Sequence, residues 1–411
     1  MQPIQALFQL ASKTKSTIKR KALLNQLKLI QTIFSNEQLS ITDLSQHVRL
    51  SFPTLNPLVL DLVNQEILDA GEKGESIGGR KPVLYQLNDK AFQVLCVEVD
   101  RFSVSISVLG NNGKVITPQI TYSLEIAKEA NKMEDLVDVI QQYLSQYKNL
   151  ENITGIGISM PGLVNFRDSS NRTFYVGGEN ICEYIEEKFG KFTTVLNDVK
   201  SITMSEMVLG TVGDKKNALV ILMDWGIGLG MVVDGSVYMG NDGYSGEMGH
   251  MVFVEDGDLC YCGKKGCLET IASGVFLVNQ AKNDIRNGMS TLLTQFEDLK
   301  HLSPQNIIEV ALAGDQYAID LISELGENLG KAISYLIQIL NPESVVLSGK
   351  FAKAGELITI PIQRSLNSNT MGALRKSCKI ELSTLKESSL AIGLFRYTFE
   401  KYFERQLTNL A

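Results

Sequence analysis

With 411 residues, the chain is too long for one small core, so two or three domains are expected. Hydrophobic residues make up 44% and charged residues 21%, an ordinary globular balance, and no apolar run reaches the roughly 18 residues of a membrane span. The net charge of −7 excludes a chain that meets nucleic acid over its whole surface, and the start Met1-Gln2-Pro3 lacks the apolar core of a secretory signal, which points to the cytoplasm.

Charge is unevenly spread. From Met1 to Ile30 there is no Asp or Glu, whereas Lys13, Lys15, Lys19, Arg20, Lys21 and Lys28 all lie there. A basic end on an acidic body suits an arm that touches phosphate, or equally a solvated helix face. Leu23, Leu24, Leu27, Ile30 and Ile33 recur at helical spacing over 21–34. Ser40 to Val48 reads as a short helix capped by Ser40 or Thr42, and Arg49-Leu50-Ser51 as a tight turn. A third helix opens at Phe52-Pro53, with proline tolerated in its first turn and Leu55, Leu58, Val59 and Leu62 facing inward. Pro57 is expected to bend or shorten that helix. Ile67 to Gly71, a polar loop ending Gly78-Gly79-Arg80-Lys81-Pro82, and the strand Val83–Leu87 complete a β-hairpin. Three helices and a hairpin make a winged helix-turn-helix over 1–88, which predicts operator DNA as a partner. Ser51, Thr54 and Asn56 are the candidate contacts of the third helix, supported by Arg49 and by Arg80 and Lys81 of the wing.

From about Ala91 strands and helices alternate. Val94–Val99 and Ser103–Leu109 read as paired strands. Asn152–Met160 reads as a buried strand ending at Pro161-Gly162, and Ala218–Met223 and Leu229–Val233 as two more. The chain is mostly helical from Val275 to about Leu340. A strand then runs over Ser344–Ser348 into Gly349, and a helix from about Ala391 to Arg405 closes the sequence. The pattern predicts an α/β body of two lobes over 89–411.

Among the six cysteines, Cys96, Cys182 and Cys378 are scattered and read as small core residues. The other three are crowded: Glu247-Met248-Gly249-His250 is followed, nine residues on, by Cys260-Tyr261-Cys262-Gly263-Lys264-Lys265-Gly266-Cys267-Leu268-Glu269. One imidazole and three thiolates, from His250, Cys260, Cys262 and Cys267, match a closed tetrahedral zinc site of structural type.

This run resembles the ROK family of repressors, open reading frames and sugar kinases, and the resemblance extends over essentially the whole chain, including the winged helix of the repressor branch. It implies an actin-like (ribonuclease H-like) body in two lobes, with the C-terminal helix returning to the first. It further implies a cleft that binds a monosaccharide or sugar phosphate and a zinc that holds the loop carrying sugar ligands. Carried over residue by residue, Glu247, His250 and Glu269 are similar to the family's sugar-hydroxyl ligands. Asn197-Asp198 is similar to its Asn-Asp pair, the amide binding sugar and the carboxylate serving as general base in the kinases. Pro161-Gly162 is similar to the loop at the cleft floor. Lys200 stands where the family usually has a second Asn.

The phosphate turns depart further. Glu98-Val99-Asp100-Arg101 replaces the first glycine-rich turn, Asp224-Trp225-Gly226 the second, and Ser348-Gly349-Lys350 the third. At an effective dielectric near 20, a carboxylate about 4 Å from phosphate costs on the order of 4 kcal/mol, so Asp100 and Asp224 are expected to remove useful ATP affinity. The sequence therefore predicts a sugar-responsive, DNA-binding transcriptional repressor of carbohydrate-utilisation genes, not an enzyme. It would act as a homodimer or homotetramer away from membranes. The alternatives are an active sugar kinase with an appended DNA-binding domain, kept open by Asp198, and a sugar-binding scaffold that never meets DNA.

Overall fold

A computed structural model describes residues 2–73, 82–126, 132–147, 150–175, 177–296, 299–386 and 390–410. The chain opens with α1 (Pro3–Lys13), whose proline occupies the first turn, where a missing N–H costs nothing. Ile4, Leu7, Phe8 and Ala11 fall on its buried face. The basic stretch is thus helical from its start, with Lys13, Lys15, Lys19, Arg20, Lys21 and Lys28 all exposed. In α2 (Thr17–Asn36) the Ser16 hydroxyl accepts the Lys19 N–H. After β1 (Gln38–Ser40), α3 (Ile41–Val48) starts at Ser40, not Thr42: the Ser40 side chain takes the Asp43 N–H and the Asp43 carboxylate takes the Ser40 N–H. Arg49 ends α3 in the left-handed region, with φ 56° and ψ 44°.

α4 (Phe52–Asn64) runs for 13 residues straight through Pro57, so the expected shortening does not occur. Leu55, Val59 and Leu62 are buried, but Leu58 is only half-buried. β2 (Leu68–Lys73) and β3 (Val83–Leu87) form an antiparallel hairpin, and β1 joins the free edge of β3 to give the order β1-β3-β2. Arg80 and Lys81 lie outside the described residues.

The fold divides into two compact units, one of 1–196 with 394–411 and the other of 197–393. In the first, β4 (Val94–Val99), β5 (Ser103–Leu109), β6 (Val115–Ser123), β7 (Gly155–Met160) and β8 (Phe192–Asn197) form a sheet in the order β6-β5-β4-β7-β8. β4 is antiparallel to β5 and parallel to β7. Every residue of β7 is buried, as the sequence predicts for a central strand, but β7 starts at Gly155 because Leu150–Asn152 forms a 3-10 turn. Helices α5 (Met133–Gln146) and α6 (Ile181–Phe189) pack on this sheet through Leu136, Ile140, Ile181 and Ile185.

The second unit starts with α7 (Asp198–Val208). Its sheet, in the order β11-β10-β9-β12-β13, holds β9 (Ala218–Met223), β10 (Ile227–Val233), β11 (Ser236–Val237), β12 (Ser344–Ser348) and β13 (Lys379–Leu382). β9 and β10 form a hairpin, and β12 runs parallel to both β9 and β13. The helices of this unit are α8 (Glu269–Ala272), α9 (Gly274–Arg286), α10 (Pro304–Leu312), α11 (Gln316–Leu340), α12 (Glu356–Asn369) and α13 (Gly372–Ser377). α11 is capped by the buried Asp315 carboxylate, which takes the N–H groups of Ala318 and Leu292 and the Thr291 hydroxyl.

The last helix, α14 (Ile392–Leu410), extends past the expected end at Arg405. Within the first unit its Phe399 lies flat on Phe34 of α2, ring centroids 3.7 Å apart, and edge-on to Phe92 at 4.8 Å. Phe8 of α1 meets Phe403 at 5.1 Å and Tyr402 at 5.9 Å. The N-terminal helices are therefore fastened to the C-terminal one by buried rings, whose tilted and stacked contacts add to their area burial. Among the described residues, no helix is long and apolar enough to cross a membrane.

Candidate functional site

The tightest side-chain cluster belongs to the second unit. His250, Cys260, Cys262 and Cys267 bring one ligand atom each to within 4.8 Å of one another. The His250 Nδ1 lies 3.5 Å from the Cys260 Sγ, and the Cys262 and Cys267 sulfurs are 3.6 Å apart. Four ligands around zinc, with metal–sulfur bonds of about 2.3 Å and metal–nitrogen bonds of about 2.0–2.1 Å, stand roughly 3.5–3.8 Å from each other. The donor set and its spacing fit such an ion, and the sequence expectation that these four residues converge holds. Burial pushes the Cys260 thiol up to about 12, and a cation bound among these sulfurs would favour its thiolate.

The loop carrying the cluster is anchored from both sides. The Lys264 ammonium donates to the His250 carbonyl at 2.6 Å, and His250 Nε2 turns outward to the Tyr261 hydroxyl at 3.1 Å. Gly266 has φ 72°, and a Cβ there would lie 1.8 Å from the Val254 carbonyl oxygen, so only glycine brings Cys267 back to the cluster.

The residues expected at the sugar site take the following places. Asn197 is buried at the N-cap of α7, its side-chain oxygen accepting the Lys200 N–H at 3.3 Å. Asp198 accepts the Val199 N–H at 2.8 Å. Glu247 ends 3.9 Å from His250 Nε2, which ties the acid to the metal-loop histidine. Glu269, buried at the start of α8, passes close to Gly249 and Gly226. A Cβ on Gly249 would stand 3.1 Å from its carboxylate. The structure thus gathers Asn197, Asp198, Glu247, His250 and Glu269 in one unit. Gly162 belongs to the first unit. It follows β7 with φ 87°, beside a loop closed by the Asn171 amide on the Pro161 carbonyl at 2.9 Å.

Lys200 is the residue that sequence reasoning undervalued. Read as a lost amide, it is a buried ammonium that donates to the Ser245 carbonyl at 3.0 Å, pinning the loop before Glu247 to α7. Burial pulls its pKa down while Glu247 and Asp198 push it back up. Burial likewise raises the Glu247 carboxyl, and Lys200 opposes that shift. The signal available in the sequence was a lysine in the first turn of a helix opened by Asn197 and Asp198. Tyr261, between two cysteines, was missed as the partner of His250.

The turns that replace the phosphate loops differ in their geometry. Asp100 closes the β4–β5 hairpin, its N–H on the Ser103 carbonyl at 2.8 Å and its carboxylate on the Arg101 N–H at 2.7 Å. Asp224 is not the unpaired charge that the sequence argument counted. Its carboxylate forms an ion pair with Lys350, from the third turn, and accepts the Trp225 N–H at 2.9 Å. The Asp224 and Trp225 carbonyls receive the N–H groups of Gly274 and Val275 at 3.0 and 2.9 Å, which locks this turn to the start of α9.

At the N-terminal end, Ser51 and Thr54 are exposed at the start of α4, with their hydroxyls 3.0 Å apart, and Phe52 beside them is 58% exposed. Asn56 is half-buried and Arg49 exposed.

The sequence profile of the ROK family matches residues 94–400. The chain is 26% identical to the xylose repressor of Caldicellulosiruptor bescii, over 90% of this chain and 94% of that one. It is 25% identical to the N-acetylglucosamine repressor of Shigella flexneri, over 90% and 91% respectively. Among solved structures, a ROK family transcriptional regulator described as a homolog of the E. coli MLC protein superposes with a TM-score of 0.74 at 24% identity, covering 94% of this chain and 99% of that one. A ROK family glucokinase from Streptomyces griseus, in complex with glucose and AMPPNP, gives 0.64 at 23% identity, covering 74% of this chain and 97% of that one. The fold is accordingly the actin-like α/β fold that these regulators and sugar kinases share, preceded here by the N-terminal helical region.

Proposed function

Because the chain belongs to the ROK family, we propose that it is a sugar-responsive transcriptional repressor of carbohydrate-utilisation genes, acting in the cytoplasm without kinase turnover. The relatives it matches over nine-tenths of its length are themselves repressors, and this full-length match is what carries the reading. In this reading residues 1–88 form a winged helix-turn-helix that meets operator DNA through Ser51, Thr54 and Asn56, with Arg49, Arg80 and Lys81 on the backbone. Residues 89–411 form the sensing body, and the protein works as a homodimer or homotetramer, since a helix-turn-helix reads paired half-sites.

The ligand is a monosaccharide or sugar phosphate. Amide and carboxylate groups take sugar hydroxyls pairwise, each bond being worth about 0.5–3 kcal/mol in a buried setting. Asn197, Asp198, Glu247, His250 and Glu269 offer such groups. His250, Cys260, Cys262 and Cys267 would hold a structural zinc, which supplies rigidity to the loop between Glu247 and Glu269. With all four positions filled by protein, such an ion keeps none open for chemistry.

Loss of ATP use has a physical basis different from simple repulsion. With Lys350 paired to Asp224, the second and third turns are bound to each other by an ion pair, and the Asp224 and Trp225 N–H groups are taken by the Gly226 carbonyl and the Asp224 carboxylate. Asp100 keeps a carboxylate in the first turn. The second reading, an active sugar kinase with an appended DNA-binding domain, draws on Asp198 at the N-terminus of α7, where a general base would stand.

The two separate in one titration series. A thermal-shift screen of monosaccharides and their phosphates is expected to raise the melting temperature of the wild-type protein with at least one sugar and to leave Glu247→Gln unmoved. ADP release on adding magnesium-ATP and that sugar would overturn the regulator reading in favour of the kinase.

A further inference from the structure

A surface cavity with cationic residues on its walls lies within the second unit. It has a volume of about 710 Å³ and sits where α12, α13 and β13 meet. The register of the sheet fixes its place: Lys379 pairs with Ser344, at the N-terminal ends of β13 and β12, whereas the Ser348-Gly349-Lys350 turn and its ion pair with Asp224 are at the C-terminal ends of β12 and β9. The cavity is therefore separate from the turns that replace the phosphate loops, and from Glu269, which lies against Gly226 at the latter end.

Its walls have a definite chemistry. Arg375, Lys376 and Lys379 put three cations on them. The one carboxylate, Glu381, is faced by Lys215 at 3.4 Å, so the cationic excess stands. Gln363 and Asn367, four residues apart on α12, add two side-chain amides from one helix face. Three polar atoms of the lining, Arg375 Nε, Thr370 Oγ1 and Glu381 Oε2, are buried without a hydrogen-bond partner, and the last of them is the oxygen that faces the Lys215 ammonium. Native proteins rarely leave such groups unsatisfied unless a water, ion or ligand completes them. A guanidinium with ammonium groups beside it selects an oxyanion, and amides select hydroxyls.

We propose that this cavity is a small-molecule site for a phosphorylated polyol, with the phosphate held by Arg375, Lys376 and Lys379 and the hydroxyls by Gln363 and Asn367. The site goes beyond the sugar site above and does not depend on it. A protein carrying both would read a free sugar and a phosphate ester at opposite ends of one sheet.

Calorimetry on the full-length protein tests this with glucose 6-phosphate, inorganic phosphate and glucose as probes. In a Glu247→Gln background, which disables the other site, glucose 6-phosphate is expected still to bind. Inorganic phosphate should compete with it, and glucose should give no heat. Arg375→Ala and Lys376→Ala should each weaken glucose 6-phosphate binding roughly tenfold or more, as loss of a charge-assisted contact requires. Lys376 is exposed, so its truncation leaves the fold intact and decides the matter should Arg375→Ala not fold. The proposal is overturned if Glu247→Gln abolishes glucose 6-phosphate binding, if no binding is detected in either background, or if Lys376→Ala binds as tightly as its parent. Failure of the sugar reading shows separately, as absence of any glucose or other monosaccharide response in the wild-type protein.

Discussion

Truncating Phe399 to Ala should detach the N-terminal helices from the body while sparing the metal cluster. The ring is 1% exposed and touches Phe34 face to face at 3.7 Å, Phe403 at 4.5 Å and Phe92 edge-on at 4.8 Å. Removing a buried phenyl group costs about 3–5 kcal/mol, the upper part arising where neighbours cannot collapse into the hole. Rings fixed on three separate helical or loop segments have little freedom to do so. Of that sum, about 0.5–1.5 kcal/mol belongs to the Phe34–Phe399 pair itself, and a double-mutant cycle with Phe34→Ala isolates it. A chain of two compact units need not unfold in one step, so a single melting curve is the wrong assay. Native-state hydrogen exchange resolves segments. Amides of α1 and α2 should lose about 3–5 kcal/mol of protection where they open by sub-global unfolding. Those of β9 and β12 should be unchanged, and operator affinity should fall. Protection of α2 within about 1 kcal/mol of wild type, or an equal loss across β9 and β12, would refute the reasoning.

The remaining expectations concern single sites. Asp315→Ala should destabilise the second unit by about 2–3 kcal/mol, read by denaturant unfolding, since α11 loses its cap and the Leu292 N–H and Thr291 hydroxyl are left unpaired. Glu98, half-buried on β4, is raised to about 7 by burial, against which the Gln119 amide works at 3.0 Å. A carboxyl higher in the folded than in the unfolded state binds more protons when folded, so stability should fall as pH rises from about 4.5 to about 7 and then level off. In Glu98→Gln that slope should vanish, as melting temperatures across the range will show. Cys262→Ser should lower bound metal below one equivalent per chain by elemental analysis and speed proteolysis of the loop from 250 to 268; metal content equal to wild type would contradict the cluster's role.

What could be read ahead of the structure follows from how local each feature is. The four candidate metal ligands fall within eighteen residues, and the glycines that turn the loop are part of the motif, so their convergence was visible in the chain. The Ser40–Asp43 box is likewise a four-residue signal. The Asp224–Lys350 pair spans 126 positions and joins two turns, and no local pattern announces it. For this reason Asp224 was expected to act as a bare charge. Phe8, Phe34, Phe92 and Phe399 are scattered from one terminus to the other, and the stretch from Met1 to Ile30 was read for its basic residues although Ile4, Leu7, Phe8 and Ala11 already traced a helical face. Pro57 was given its usual helix-breaking weight, but tertiary packing of Leu55, Val59 and Leu62 on both sides of it outweighs one missing bond. Lys200 looked like a simple substitution because Glu247, the larger of its two counter-charges, lies 47 positions away on another segment and only Asp198 shares its helix.

The account stands or falls on coupling between sugar and operator. Fluorescence anisotropy of DNA from upstream of the protein's own gene, bound by the full-length chain at fixed salt and without ATP, measures it directly while monosaccharides and their phosphates are titrated in. At least one sugar should change DNA affinity by roughly tenfold, a coupling of about 1.4 kcal/mol, and the change should disappear in Glu247→Gln. DNA affinity indifferent to every sugar in the panel would contradict it.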